Sequence, residues 1–158
     1  VKKFEFSLDQ LLRVKRQLER LAGMEQARAR QDADRAHARL QDLRSQLTRV
    51  SEQLNASVGR SLTPMQWVSV CDMSDRLGQS IRTSEQEVTE TEQKFQAATL
   101  ERNQIATEVE ALDNLRQQQL AQWRQGVEKA DQERLDDLGM RRWQAARDDS
   151  TGGAPSPA

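Results

Sequence analysis

The side chains of this sequence that could do chemistry are few, and their spacing scatters them. His37 is the only histidine and Cys71 the only cysteine. A metal site needs several ligands at fixed spacing, and His37 has no second ligand near it. A cysteine nucleophile needs an adjacent base, and Cys71 has none, so a small packing role beside a helix seam is expected for it. The stretch "GRSLTP" lacks the second glycine and the lysine of a phosphate-binding loop. Glu85, Glu87, Glu90 and Glu92 form an acidic row that reads as a solvated helix face, answering Arg28, Arg30 and Arg35 across a fold. Arg13, Lys15, Arg16 and Arg20 form a basic row without the interleaved aromatic residues on which nucleic-acid bases stack. The sequence therefore points away from an enzyme, a metal or cofactor site and a nucleic-acid binder.

The composition explains why no cavity for such groups is expected. Hydrophobic residues make up 35% of the 158 residues, charged residues 31% and aromatics 4%. Such a mixture suits long helices with a narrow apolar seam rather than a thick core. The formal net charge is −1, but residues 1–49 carry 12 Lys and Arg against 7 Asp and Glu, while residues 50–158 carry 12 against 18. A basic first arm and an acidic second arm attract each other if the chain folds back. A single cysteine fits a reducing compartment. No apolar run approaches the roughly 18 residues of a membrane span, and the amino terminus lacks the apolar core of a signal peptide. A cytoplasmic protein without direct membrane insertion is expected.

Apolar residues recur at Ala29, Ala33, Ala36, Leu40, Leu43, Leu47, Val50 and Leu54, with spacings that alternate between four and three. That is a heptad seam. Leu8, Leu11, Leu12, Val14, Leu18 and Leu21 also sit at helical spacing, with a slip of phase near Gly23. The first helix is expected over about 8–55. In "SLTPMQW", Thr63 is a helix cap, Pro64 suits the first helical position, and Gln66 completes a capping box. Leu62 and Trp67 take the two positions of a hydrophobic staple. A turn over about 55–63 and a second helix over about 64–147 follow, with 148–158 as a disordered tail and 1–147 as one domain.

The second seam runs through Trp67, Val70, Ser74, Leu77, Ile81, Ser84, Val88, Thr91, Phe95, Ala98, Arg102, Ile105, Val109 and Leu112, ten of the fourteen apolar. An antiparallel fold pairs Leu54 with Trp67, Val50 with Val70, Leu43 with Leu77, Leu40 with Ile81, Ala33 with Val88 and Leu12 with Val109. The expected fold class is all-α: an antiparallel two-helix coiled-coil hairpin whose longer second helix is partly unpaired. The overhang, about 30 residues and roughly 45 Å at the helical rise, keeps apolar residues at Leu120, Trp123, Val127, Ala130, Leu135 and Leu138. Those residues have no partner in the chain under this pairing.

Two terminal stretches carry more specific information. "FEFSLDQLLRVKRQLERLA", with Phe4, Phe6, Leu8, Leu11, Leu12, Val14, Glu19 and Ala22, resembles the start of the flagellar export protein FliJ family. "ADQERLDDLGMRRW", with Gln132, Leu135, Asp136, Asp137 and Arg141, resembles that family's closing helix, and Trp67 is similar to a feature of its second helix. Gly139 departs from the pattern, where a helix former is more common. The resemblance implies a soluble, non-enzymatic component of the flagellar type III export apparatus, similar to the central stalk of rotary ATPases. It implies binding to the hexameric export ATPase, to the cytoplasmic domain of the export gate protein and to empty export chaperones, at the cytoplasmic face of the inner membrane. On that analogy Leu8, Leu11, Leu12, Trp123 and Leu135 face the ATPase, and Leu43, Val50, Met73 and Leu77 face the gate. The stalk of a virulence-type secretion system and a generic coiled-coil scaffold are the alternatives.

Overall fold

The computed structural model describes residues 3–57 and 59–151. Two helices make up nearly all of it: α1, Asp9–Ala56 (48 residues), and α2, Pro64–Thr151 (88 residues). The described residues divide into two units, one of residues 3–13 with 110–151 and the other of residues 14–109. The chain is an all-α hairpin, as the seams predict. Gly139 does not interrupt α2. Residues 148–151 belong to that helix, and the rest of the expected tail, 152–158, lies outside the described residues.

The helix ends follow from local chemistry. The Asp9 amide donates to the Phe6 carbonyl at 3.1 Å, and the Asp9 carboxylate sits in the first turn of α1, where the helix dipole favours an anion. At the other end, the Ser57 amide donates to the carbonyls of Gln53 (3.1 Å) and Leu54 (3.0 Å). Gly59 then takes φ +97°, a conformation that side chains with a Cβ rarely adopt. The expected capping box closes α2: the Gln66 amide donates to Thr63 Oγ1 at 3.3 Å, and the Thr63 amide donates to Gln66 Oε1 at 3.0 Å. Thr63→Ala removes one of these two bonds and is expected to lower stability by about 1 kcal/mol in urea unfolding.

In the unit of residues 14–109 the helices run antiparallel. Ala36, Leu40 and Val88 form a buried cluster with Ile81 packed against it. Ala33, Val50 and Leu77 are buried on the same two seams. Ile81 packs against the cluster as a whole, and Val88 sits with Ala36 and Leu40, about one turn beyond the expected Ala33. The charged flanks show the same displacement. Glu85 and Glu87 pair with Arg44 (2.8 Å) and Arg39 (3.5 Å), and Glu92 bonds His37 Nε2 at 2.7 Å. The acidic row thus faces the first helix, but its partners lie nearer the turn than Arg28, Arg30 and Arg35. Such exposed pairs contribute about 0–1 kcal/mol each, so they tune register more than they hold the hairpin.

Among the described residues, one fully buried seam position is polar. Ser84 is buried, and its Oγ has no hydrogen-bond partner. Desolvating a hydroxyl without a partner is unfavourable, and Ala is also the better helix former. Ser84→Ala is expected to raise the urea midpoint, with a gain of about 1 kcal/mol.

Candidate interaction surfaces

The groups that could react do not converge. His37 lies on an exposed flank and holds Glu92, and Cys71 is exposed rather than packed beside the seam. No group of three potential metal ligands occurs among the described residues. A groove of about 760 Å³ is lined by Ala29, Ala36, Ala97 and Ala98 together with charged side chains of both signs. No helix of the described residues is long and apolar enough to cross a membrane. What the described residues offer instead is exposed apolar surface, most densely in three stretches.

The first is the far part of α2. From Glu128 to Asp148 every residue is exposed, including Leu135 (68%), Leu138, Met140 and Trp143. The Arg147 guanidinium lies 5.1 Å from the centre of the Trp143 ring, within cation–π range. Asp131 pairs with Arg134 at 3.7 Å one turn apart. An amphipathic helix with no covering element has its apolar side chains free for another molecule.

The near part of the expected overhang is different. Leu112, Leu120, Trp123 and Val127 are half-buried, and Phe4 packs against Trp123 with ring centroids 6.0 Å apart and planes tilted by 56°. Phe6 is buried as well. The expectation that Leu120, Trp123 and Val127 lack an intrachain partner is therefore corrected at Trp123, because the segment before α1 carries an aromatic ring onto it. Seam periodicity gave no sign of this, since Phe4 and Phe6 precede the helix. The alternation of Phe4 and Phe6 with polar neighbours was the available signal. Phe4→Ala is expected to speed amide hydrogen exchange in residues 3–8 and to lower stability by about 1 kcal/mol, the scale of an aromatic pair.

The second place is the start of α2. Met65 (84%), Trp67 (55%), Val68 and Met73 are exposed within nine positions. Trp67 and Leu62 both remain exposed, so the staple expected between them leaves a large ring in solvent. Sequence reading placed Trp67 on the seam and missed Met65 and Val68. Four apolar residues, Met65, Trp67, Val68 and Val70, crowd six helical positions, and a helix cannot turn all of them toward one seam.

The third place is on α1. Val14, Leu18, Leu21 and Met24 point outward, while Lys15, Glu19, Ala22 and Gln26 are the shielded residues. The shielded positions of α1 keep alternating spacings of three and four from Lys15 through Leu54. The phase slip read near Gly23 is thus absent from the packing. The residue types change face there, and the helix does not.

Burial sorts the residues singled out from the sequence. Leu12 is 1% exposed, and Val50 and Leu77 are also buried, so these three are packing residues with no surface for a partner. Leu8, Leu43 and Trp123 are half-buried. Leu11, Met73 and Leu135 are exposed. No curated protein and no solved structure matches the sequence. Residues 4–148, nearly the whole chain, match the family model described as Flagellar FliJ protein. With that match and two long helices folded as a hairpin, the chain belongs to the FliJ family of flagellar protein-export components.

Proposed function

We propose that this chain is the stalk of the flagellar export apparatus. The far part of α2 enters the hexameric export ATPase, and the start of α2 contacts the cytoplasmic domain of the export gate protein. The observation that supports this best is the exposed run 128–148, which stays helical while presenting Leu135, Leu138, Met140 and Trp143. Apolar and aromatic anchors of this kind supply most of the energy at interfaces. Leu11 joins Leu135 on the ATPase side by virtue of its exposure, while Leu8 and Trp123 contribute through their uncovered parts. On the gate side Met73 is joined by Met65, Trp67 and Val68, whose flexible thioethers and large ring suit a surface that adapts to a partner. Leu43, which is half-buried, contributes through its uncovered part. Empty export chaperones are further partners under this reading, which places the chain at the cytoplasmic face of the inner membrane. The chain itself performs no catalysis and uses no cofactor in this role.

The test is the ATP hydrolysis rate of the purified export ATPase, measured with and without the full chain. A rise in rate that saturates with added chain is expected. An unchanged rate together with no detectable complex would refute the stalk reading.

A further inference from the structure

The segment before α1 is held to α2 by rings rather than by hydrogen bonds. Residues 3–6 form neither helix nor turn, and their burial alternates: Lys3 and Glu5 are exposed, Phe4 is half-buried and Phe6 is buried. Alternate side chains of an extended segment point to opposite sides, so both phenyl rings face inward. The Phe4 ring lies on Trp123 with centroids 6.0 Å apart. The backbone groups inside a helix are already paired within it, so an extended segment laid on α2 gains no ladder of bonds from it. Residues 3–5 make no hydrogen bond or ion pair with any described residue. A segment fixed in this way opens at low free energy while the helices stay folded.

The surface under Phe4 continues beyond it. Leu120 and Val127 lie about one turn to either side of Trp123 and are half-buried. Leu138, which is exposed, follows Val127 by eleven residues, about three turns, and so shares its face. Between them that face carries Ala130 and the ion pair of Asp131 with Arg134, 3.7 Å apart. Arg124, Leu135 and Asp137 flank it. From Leu120 to Leu138 this is one stripe, about 27 Å long at the helical rise, with Phe4 over its near part and its far part bare.

We infer that residues 3–6 form a displaceable strap over the near end of the surface that the export ATPase takes, and that docking moves Phe4 off Trp123 to make the stripe continuous. This rests on the stalk reading, because continuity with the far part of α2 is what assigns the uncovered face to the ATPase. A strap that must leave before a partner seats lowers the fraction of competent molecules, and the apparent affinity falls by that fraction. The strap therefore sets how tightly the chain holds the ring.

Calorimetric titration of the full chain against the purified export ATPase tests this. Phe4→Ala is expected to bind at least threefold more tightly, and adding Trp123→Ala to it should cancel the gain. A chain with Lys3→Cys, Arg124→Cys and Cys71→Ser, joined by a cleavable bismaleimide, holds the strap down, since the two new cysteines adjoin Phe4 and Trp123. Linked, it should bind at least tenfold more weakly than the same chain after the linker is cut. Unchanged or weaker binding by Phe4→Ala, or equal binding of linked and cut chains, would overturn the inference and leave the stalk reading in place. Absence of a complex with both the unaltered chain and Phe4→Ala would refute the stalk reading and this inference with it. A dimer of the Phe4→Ala chain that Trp123→Ala dissociates would also overturn it, because the uncovered face would then belong to a second copy.

Discussion

Leu40→Ala is expected to lower the unfolding free energy by about 2–4 kcal/mol, the cost of a large-to-small change in a packed core. Leu40 is 7% exposed and joins Ala36 and Val88, with Ile81 against the group. A two-helix seam has no second layer of side chains to close over the hole, and Ala36 is too small to fill it. The missing methyl groups therefore leave an unfilled gap or admit water beside Val88. Leu18→Ala supplies the comparison, because Leu18 is exposed and its loss should cost less than about 0.5–1 kcal/mol, as for surface changes generally. Urea unfolding followed by circular dichroism measures both. Equal effects at the two positions would mean that the shielded and exposed faces of α1 are misassigned.

Changing Leu135 and Leu138 to Glu and Trp143 to Ala is expected to weaken binding to the export ATPase by at least tenfold. It should leave the melting of the hairpin unchanged. The three side chains are exposed in a run where every neighbour is exposed, so nothing in the fold rests on them. Loss of a single interface anchor commonly costs about 2 kcal/mol, and each 1.4 kcal/mol is a factor of ten in affinity. The new carboxylates add to Asp131, Glu133, Asp136 and Asp137, so the variant also tests the sign of the field that the docking site presents. Removing the Trp143 ring frees the Arg147 guanidinium from its face, a smaller effect at an exposed site. Titration of the labelled chain with purified ATPase reads the affinity, and swimming in soft agar by a strain carrying the variant reads the consequence. Unchanged affinity with lost helicity would make this stretch structural instead.

The sequence was most legible at Thr63, Pro64 and Gln66. A capping box acts between residues three apart, and both of its hydrogen bonds form as their spacing indicates. The seam from Ala29 to Leu54 was equally legible, because its apolar residues repeat without a break and all are shielded. The candidate surfaces were less so. Val50, Leu77 and Leu12 had the apolar character of contact residues, and burial inside the hairpin produces that same character. Met65 and Val68 were overlooked because Trp67 beside them fitted the seam. The family was readable from the two terminal stretches, which carry more than heptad pattern.

The sequence by itself determined that there are two helices and where the turn between them lies. Both depend on signals that act within a few residues: caps, a proline and the glycine at 59. The tertiary structure alone decided which face of α1 is shielded between Lys15 and Gln26, which residue meets Val88, and that Phe4 lies on Trp123. The rotation of a long helix is set by the sum of its contacts. A well-packed seam downstream can therefore hold Lys15, Glu19 and Gln26 inward and leave Val14, Leu18 and Leu21 in solvent. No count of apolar residues over those turns gives that result, because the constraint that imposes it lies up to about ten turns away along the same helix.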